Sequence, residues 1–193
     1  MEKLLELDGN ILLWIQNNLR NDFLDAVMKT ITSLGDHGFI WIILTVLFFL
    51  VKRTRRLGFT TALSMLMTLF AVNIVIKNIV ARTRPYEVVE GLNRIIGAQD
   101  DFSFPSGHTA HAFAFSVVIF LMLSRKWGMF ALVFAFLMGF TRLYVGVHYP
   151  TDVIAAALIG TVMAFLSVFV VRRVVEKFNV ENDEGNIRKI DEK

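Results

Sequence analysis

Arg142-Leu-Tyr-Val-Gly-Val-His148-Tyr-Pro150-Thr-Asp152 joins two long apolar segments and brings an arginine, a histidine and an aspartate to their junction. Ionisable groups are costly beside lipid, so three of them at such a seam point to a site. Proline suits the first turn of a helix, so Pro150 opens the second segment, with His148 just ahead of it and Asp152 in its first turn. The carboxylate can then reach back to the imidazole. An aspartate on one ring nitrogen sets the tautomer and supports the charge that develops when the other nitrogen attacks or takes a proton. Arg142 adds a planar cationic fork suited to a phosphate. A helix-capping Asp152 beside an interfacial histidine is the plainer alternative, and this stretch alone does not choose between the two.

The rest of the composition decides the class. The chain has 193 residues, the length of one domain, with 55% apolar and only 19% charged residues. Its mean hydropathy is +0.56. Runs such as Phe39 to Val51 and Trp127 to Phe140 carry no charge. The expected fold is all-α, a polytopic membrane bundle of five to six spans preceded by an amphipathic interfacial helix. Residues 1–36 read as N-terminal amphipathic helices, 37–175 as the bundle and 176–193 as a charged cytoplasmic tail. The net charge of +3 is small and does not argue for nucleic acid. With no cysteine, disulfides, iron–sulfur clusters and thiol catalysis are excluded.

Helical spacing of Leu4, Leu5, Ile11, Leu12, Ile15 and Leu19 predicts a helix in the headgroup region with Trp14 as anchor. Glu2 and Glu6 at its start do not fit a secretory signal. Phe23 to Leu34 predicts a second amphipathic helix packed on the bundle, broken by Gly35-Asp36-His37-Gly38. His37 reads as a polar turn residue. Spans are expected at about Asp36 to Val51, Gly58 to Val80, Ser106 to Ser124, Trp127 to Tyr144 and Pro150 to Val171. Lys52, Arg53, Arg55, Arg56, Arg125, Lys126, Arg172, Arg173 and Lys177 then share one face, which the positive-inside rule makes cytoplasmic. The acidic N-terminal segment, the polar loop from Ala81 to Pro105 and the turn holding His148 fall together outside.

Two further clusters share that face. In Lys77 to Pro85 the two cations Lys77 and Arg84 lie two helical turns apart, and Pro85 biases Arg84 toward extended backbone. Basic residues there run against the topological bias, which favours a function. Arg82 points elsewhere and reads as a snorkelling side chain. In Phe104-Pro105-Ser106-Gly107-His108, Ser106 is a good N-cap, and the free N–H groups of Gly107 and His108 at a helix start suit an anion. His108 would lie where a departing oxygen needs a proton. His111, one turn on, reads as supporting or interior polar. Asp100 and Asp101 could touch a metal, but a two-metal phosphatase needs more converging carboxylates than this loop offers.

These residues resemble the type 2 phosphatidic acid phosphatase superfamily, whose signatures are Lys-x6-Arg-Pro, Pro-Ser-Gly-His and Ser-Arg-x5-His-x3-Asp. They stand here in order as Lys77 to Pro85, Pro105 to His108 and Arg142 to Asp152, with Thr141 in place of the serine. The resemblance covers Lys77 to Asp152 by motif and the remainder by hydropathy alone. It implies that His148 is a nucleophile forming a phosphohistidine, oriented by Asp152. It implies that Lys77, Arg84, Ser106, Gly107 and Arg142 bind the phosphate, and that His108 protonates the leaving oxygen, with no cofactor and no metal.

The expected activity is hydrolysis of a membrane lipid phosphate or diphosphate at the outer face of a cell membrane, undecaprenyl diphosphate foremost. Phosphatidylglycerophosphate and phosphatidic acid are the other candidates. A non-enzymatic anion carrier would need polar residues along the bundle, and the segment before Thr141 has almost none. A haloperoxidase would share the site but suits a soluble, vanadate-loaded protein.

Overall fold

A computed structural model describes residues 2–191, with side chains described for residues 3–177. The end of the expected 176–193 tail lies outside the described residues. The chain opens with α1 (Glu2–Leu19) and α2 (Asp22–Leu34), the latter capped by Asn21, whose side chain accepts the Leu24 N–H at 3.0 Å. A 3-10 turn, Asp36–Gly38, leads to α3 (Phe39–Leu50), and a second, Lys52–Thr54, leads to α4 (Arg55–Thr68). A π-helical stretch, Leu69–Ile76, carries α4 into α5 (Lys77–Val80), where Ala81 turns left-handed and stops the helix. The short α6 (Pro85–Val88) starts on its proline, and α7 (Gly107–Met122), α8 (Arg125–Tyr144) and α9 (Pro150–Asp191) complete the molecule. Among the described residues every regular element is helical.

Three stretches are long and apolar enough to cross a membrane: the one containing α4 and α5, then α8, and Pro150–Lys177 of α9. The α2–α3 pair, bent by 46°, gives a fourth if it counts as one span. The expected five to six are not reached on length alone, for a simple reason. The 12 residues of α3 rise about 18 Å and the 16 of α7 about 24 Å, against a hydrocarbon core of about 30 Å. The last helix also runs past the expected exit at Val171, on to Asp191.

The apolar segment α7 can be short because it is the centre of the bundle. It packs on α4, α8 and α9, and ten of its residues from Thr109 to Ile119 are buried. Its closest partner is α9, at Gly160. A Cβ there would sit 2.2 Å from the Ala110 carbonyl oxygen and 3.0 Å from the Ala114 nitrogen. The two backbones touch because Gly160 has no side chain and α7 offers alanines, the small-residue packing of membrane helices. Trp41 of α3 closes the other flank against Phe115, ring centroids 5.2 Å apart. Outer faces stay apolar and exposed, as at Phe59 and Leu66 of α4, Phe70 of the π-helical stretch, Phe130, Val133 and Phe136 of α8, and Ile154, Leu158 and Phe165 of α9. Such a belt is stable only against lipid or another apolar partner.

At one end of the bundle the C-termini of α5 and α8 meet the N-termini of α7 and α9. The loop from Arg82 to Ser106 is pinned there by backbone bonds: Ser103 N–H to the Arg82 carbonyl at 2.8 Å, Ile95 N–H to Val145 at 3.2 Å and Ser106 N–H to Asp152 at 3.3 Å. Helices α1 and α2 cover the same end. Leu12, Ile15 and Met28 are buried, and Arg20 donates to the Tyr144 carbonyl at 2.8 Å.

Candidate active site

A cavity of about 610 Å³ opens at this end. Lys77, Arg84, Gly107, His108, Arg142 and His148 line it, so six residues from three separate segments share one space. Ser106 and Asp152 stand behind its wall and are fully buried.

Each side chain arrives for a local reason. The wide turn of the π-helix sets Asn73 and Lys77 on the cavity side of the same rod, as π segments at functional sites commonly do. The helix ends at Val80, so Arg84 reaches the cavity from an extended backbone (φ −73°, ψ 148°) and not from a continued helix. Its guanidinium is fixed by the Asp101 and Val147 carbonyls, each at 2.9 Å. Ser106 caps α7, accepting from the Thr109 N–H at 3.4 Å and the Thr109 hydroxyl at 3.0 Å, and this directs the first N–H groups of α7 at the cavity. Arg142 is 1% exposed; it donates to the Thr32 hydroxyl of α2 at 2.6 Å and to Gln99 at 3.5 Å, while its Nε–H is buried without a partner. No carboxylate pairs with it among the described residues. A buried cation held only by neutral oxygens is ready for an anion.

His148, 1% exposed, stands at the floor. Its Nε2 lies 3.2 Å from Arg84 Nη1. A guanidinium nitrogen can only donate, so Nε2 is the acceptor and the ring proton sits on Nδ1. Asp152 Oδ2 is 3.5 Å from that Nδ1, a long contact that leaves Nδ1 without a close hydrogen bond. The same oxygen accepts from the Tyr149 N–H at 2.9 Å and from the Ser103 hydroxyl, which holds the carboxylate under the ring. Burial pushes the imidazole down to about 3; Asp152 pulls it up, and Arg84 and Arg142 push it further down. The ring is therefore neutral at ordinary pH with a lone pair on Nε2, the form a nucleophile requires.

Four residues that sequence reasoning set aside belong to the same network. Arg82, expected to snorkel, donates to Asp152 Oδ1 and to Thr151, pairs with Asp8 of α1 at 2.8 Å, and lies over the Tyr149 ring at 3.8 Å. Two carboxylates and an aromatic face outcompete lipid headgroups for it. Asp101 binds both Lys77 and Arg84, and those cations hold its carboxyl below the usual range despite burial that raises it. Asp36 meets His108 Nε2 at 3.0 Å. His37 lines the cavity in left-handed backbone (φ 53°). Only Asp101 carried a signal, an acidic pair inside the polar loop. His111 also lines the cavity, its Nδ1 2.9 Å from the Gly107 carbonyl.

A helical bundle with an apolar belt and, at one end, a pocket of cations, helix N-termini and a neutral buried imidazole defines a membrane protein built to handle a phosphorylated group. Its sequence matches the PAP2 superfamily over residues 55–176, and the chain belongs to that family of membrane phosphatases acting on lipid phosphates. It is 35% identical to an undecaprenyl-diphosphatase of Sulfolobus acidocaldarius over 146 residues, 75% of this chain and 69% of the relative. It is 31% identical to undecaprenyl-diphosphatase BcrC of Bacillus subtilis, covering 76% and 74% of the two chains. Its fold matches the crystal structure of a transmembrane PAP2 type phosphatidylglycerolphosphate phosphatase from Bacillus subtilis with a TM-score of 0.74 at 26% identity, covering 92% of this chain and 88% of that one.

Proposed function

We propose that this enzyme hydrolyses undecaprenyl diphosphate at the outer face of a cell membrane through a phosphohistidine. One observation carries the lipid part of this reading. The cavity that gathers the cations and imidazoles is continued by Ile42 of α3 and by Met65, Leu66 and Leu69 of the α4 rod. Ile42, Leu66 and Leu69 are themselves exposed on the belt. A headgroup seated among the cations thus has its chain beside lipid-facing surface, which a water-soluble phosphate does not need. The diphosphate is favoured by the two relatives named for that substrate; the structural likeness to a phosphatidylglycerolphosphate phosphatase supports the alternative of a glycerophospholipid monophosphate.

In the proposed reaction His148 Nε2 attacks the phosphorus while the P–O bond to the leaving group breaks. Lys77, Arg84, Arg142 and the Gly107 N–H hold the remaining oxygens as charge moves among them. His108 gives a proton to the departing oxygen. Water then attacks the phosphohistidine, returns a proton to His108 and frees phosphate. Asp152 holds the proton-bearing side of His148, and Arg82 holds Asp152. The anion must displace Asp101 from Lys77 and Arg84.

Five crossings are proposed: α3, the α4–α5 rod, α7, α8 and α9. The basic residues at Lys52 to Arg56, Arg125, Lys126, Arg172 and Arg173 lie at the end away from the site, which supports an orientation with that end and the C-terminus in the cytoplasm and the cavity outside. In this arrangement α1 lies at the outer interface with Trp14, 58% exposed, toward the headgroups.

The test is phosphate release from undecaprenyl diphosphate, phosphatidylglycerophosphate and phosphatidic acid in EDTA, with His148→Ala as control. The expected result is fastest turnover on the diphosphate and none with His148→Ala. Turnover by the variant refutes the phosphohistidine, and preference for a glycerophospholipid replaces the substrate.

A further inference from the structure

The turn Gly35-Asp36-His37-Gly38 lies outside all three signatures and outside the segment matched to the family, yet it forms one wall of the cavity. Three observations tie it to His108. Asp36 Oδ1 lies 3.0 Å from His108 Nε2. A Cβ on Gly35 would stand 2.7 Å from His108 Cδ2, the ring carbon beside that nitrogen, so the turn backbone rests on the ring edge and a side chain there would displace the ring. His37 and Gly38 both take left-handed backbone, at φ 53° and 73°, which wraps the turn into the cavity instead of letting α2 run straight into α3. A non-glycine residue in that conformation at a cavity wall is a cost the fold carries where geometry matters. One turn earlier on α2, Thr32 holds Arg142 at 2.6 Å, so the same short segment touches two of the family's signature residues.

We propose that Asp36 is a positioning residue for His108, which fixes the rotation of the imidazole and holds a proton on Nε2 so that Nδ1 faces the departing oxygen. The inference rests on the reading of His108 as the acid. In the step, the P–O bond of the leaving group breaks as the bond from His148 Nε2 to phosphorus forms. The proton on His108 Nδ1 moves to the released oxygen, and the ring becomes neutral, keeping Nε2–H on Asp36. When water attacks the phosphohistidine, the bond from phosphorus to His148 Nε2 breaks, phosphate leaves, the water's proton goes to His108 Nδ1 and the cycle closes. A carboxylate at one imidazole nitrogen orients the ring, as it does behind metal-bound histidines, and stabilises the protonated form of a histidine that carries a proton in catalysis. Half the Asp36 side chain is exposed (54%), so it can be changed without opening the core.

The experiment compares leaving groups that do and do not need an acid. First-turnover alcohol release is measured for the full-length protein with dioctanoyl phosphatidate, an alkyl ester, and with p-nitrophenyl phosphate, whose leaving group departs unprotonated. Asp36→Asn should slow the alkyl ester about 10- to 100-fold, by analogy with the loss of a partner that orients a metal-binding histidine. It should slow the aryl ester by less than about 3-fold and leave KM unchanged, with Asp36→Glu recovering part of the loss. His108→Asn should show the same contrast, enlarged. An equal loss on both esters, or no loss on the alkyl ester, overturns the proposal while leaving the proposed function standing. If His108→Asn lacks the contrast, the acid assignment falls and the role of Asp36 falls with it. If wild type releases nothing from either ester, the positioning role is overturned, while the diphosphatase reading stands or falls on its own substrate in the test above.

Discussion

Asp101 occupies the two cations proposed to hold the substrate phosphate, and its side chain is 49% exposed at the mouth of the cavity. A carboxylate there and an entering phosphate compete for the same N–H donors. Asp101→Asn removes the competitor's charge, so the inhibition constant for orthovanadate should fall about 3- to 10-fold, as expected for losing part of one charge-assisted contact; an unchanged or higher constant contradicts the competition. His148 makes a second prediction. Its folded pKa of about 3 lies below the unfolded value of about 6.5, so the unfolded chain takes up a proton there that the folded chain refuses. Stability from this residue is complete above pH 6.5 and is lost as the pH falls toward 3. At pH 5 the loss is about 2 kcal/mol. Thermal unfolding in detergent at pH 8 and pH 5 should therefore show a larger drop for wild type than for His148→Gln. At this scale the sequence was informative where motif residues carry charge into apolar surroundings. Lys77, Arg84, Gly107, His108, Arg142 and His148 were all legible, and all line one cavity. Asp36, Asp8 and Arg82 were not, because what gives each its place is a partner on a distant element, and an acid in a polar turn looks the same with or without one.

The helices themselves were legible from their apolar runs, since each run of charge-free residues ends at a cluster of basic or turn-forming residues. What spacing along the chain does not encode is which helix others surround. Segment α7 looks like any other span, yet it is the buried centre, and the contact at Gly160 makes it so. Gly160→Ala puts a methyl group into the Ala110 carbonyl and should destabilise the bundle by about 1–3 kcal/mol, read as a lower unfolding temperature in detergent. Gly97→Ala, with nothing within 4 Å of the added carbon, should leave that temperature unchanged and serves as control. The π-helical stretch Leu69–Ile76 was also invisible. Its apolar residues suit an ordinary helix, and the widened register accompanies the placing of Asn73 and Lys77 at a cavity that only the tertiary fold creates.

For the molecule as a whole, orientation is the property to test, and the composition makes the test clean. The chain has no cysteine, so a single introduced thiol reports alone. Gly97→Cys, in the loop over the cavity, should react with a membrane-impermeant maleimide on intact cells. Lys126→Cys, in the first turn of α8 at the other end, should react only after permeabilisation. The reverse pattern would put the cavity on the cytoplasmic side.

The family match begins at residue 55, whereas Thr32, Asp36 and Asp8 each hold a group at or behind the cavity from further upstream. A fragment trimmed to the shared region would keep every signature residue and still lose the hydroxyl on one guanidinium, the carboxylate on one imidazole and an anchor of the arginine behind the floor. Chimeras that graft the residues upstream of 55 from one relative onto another should therefore change turnover while the signature residues stay untouched.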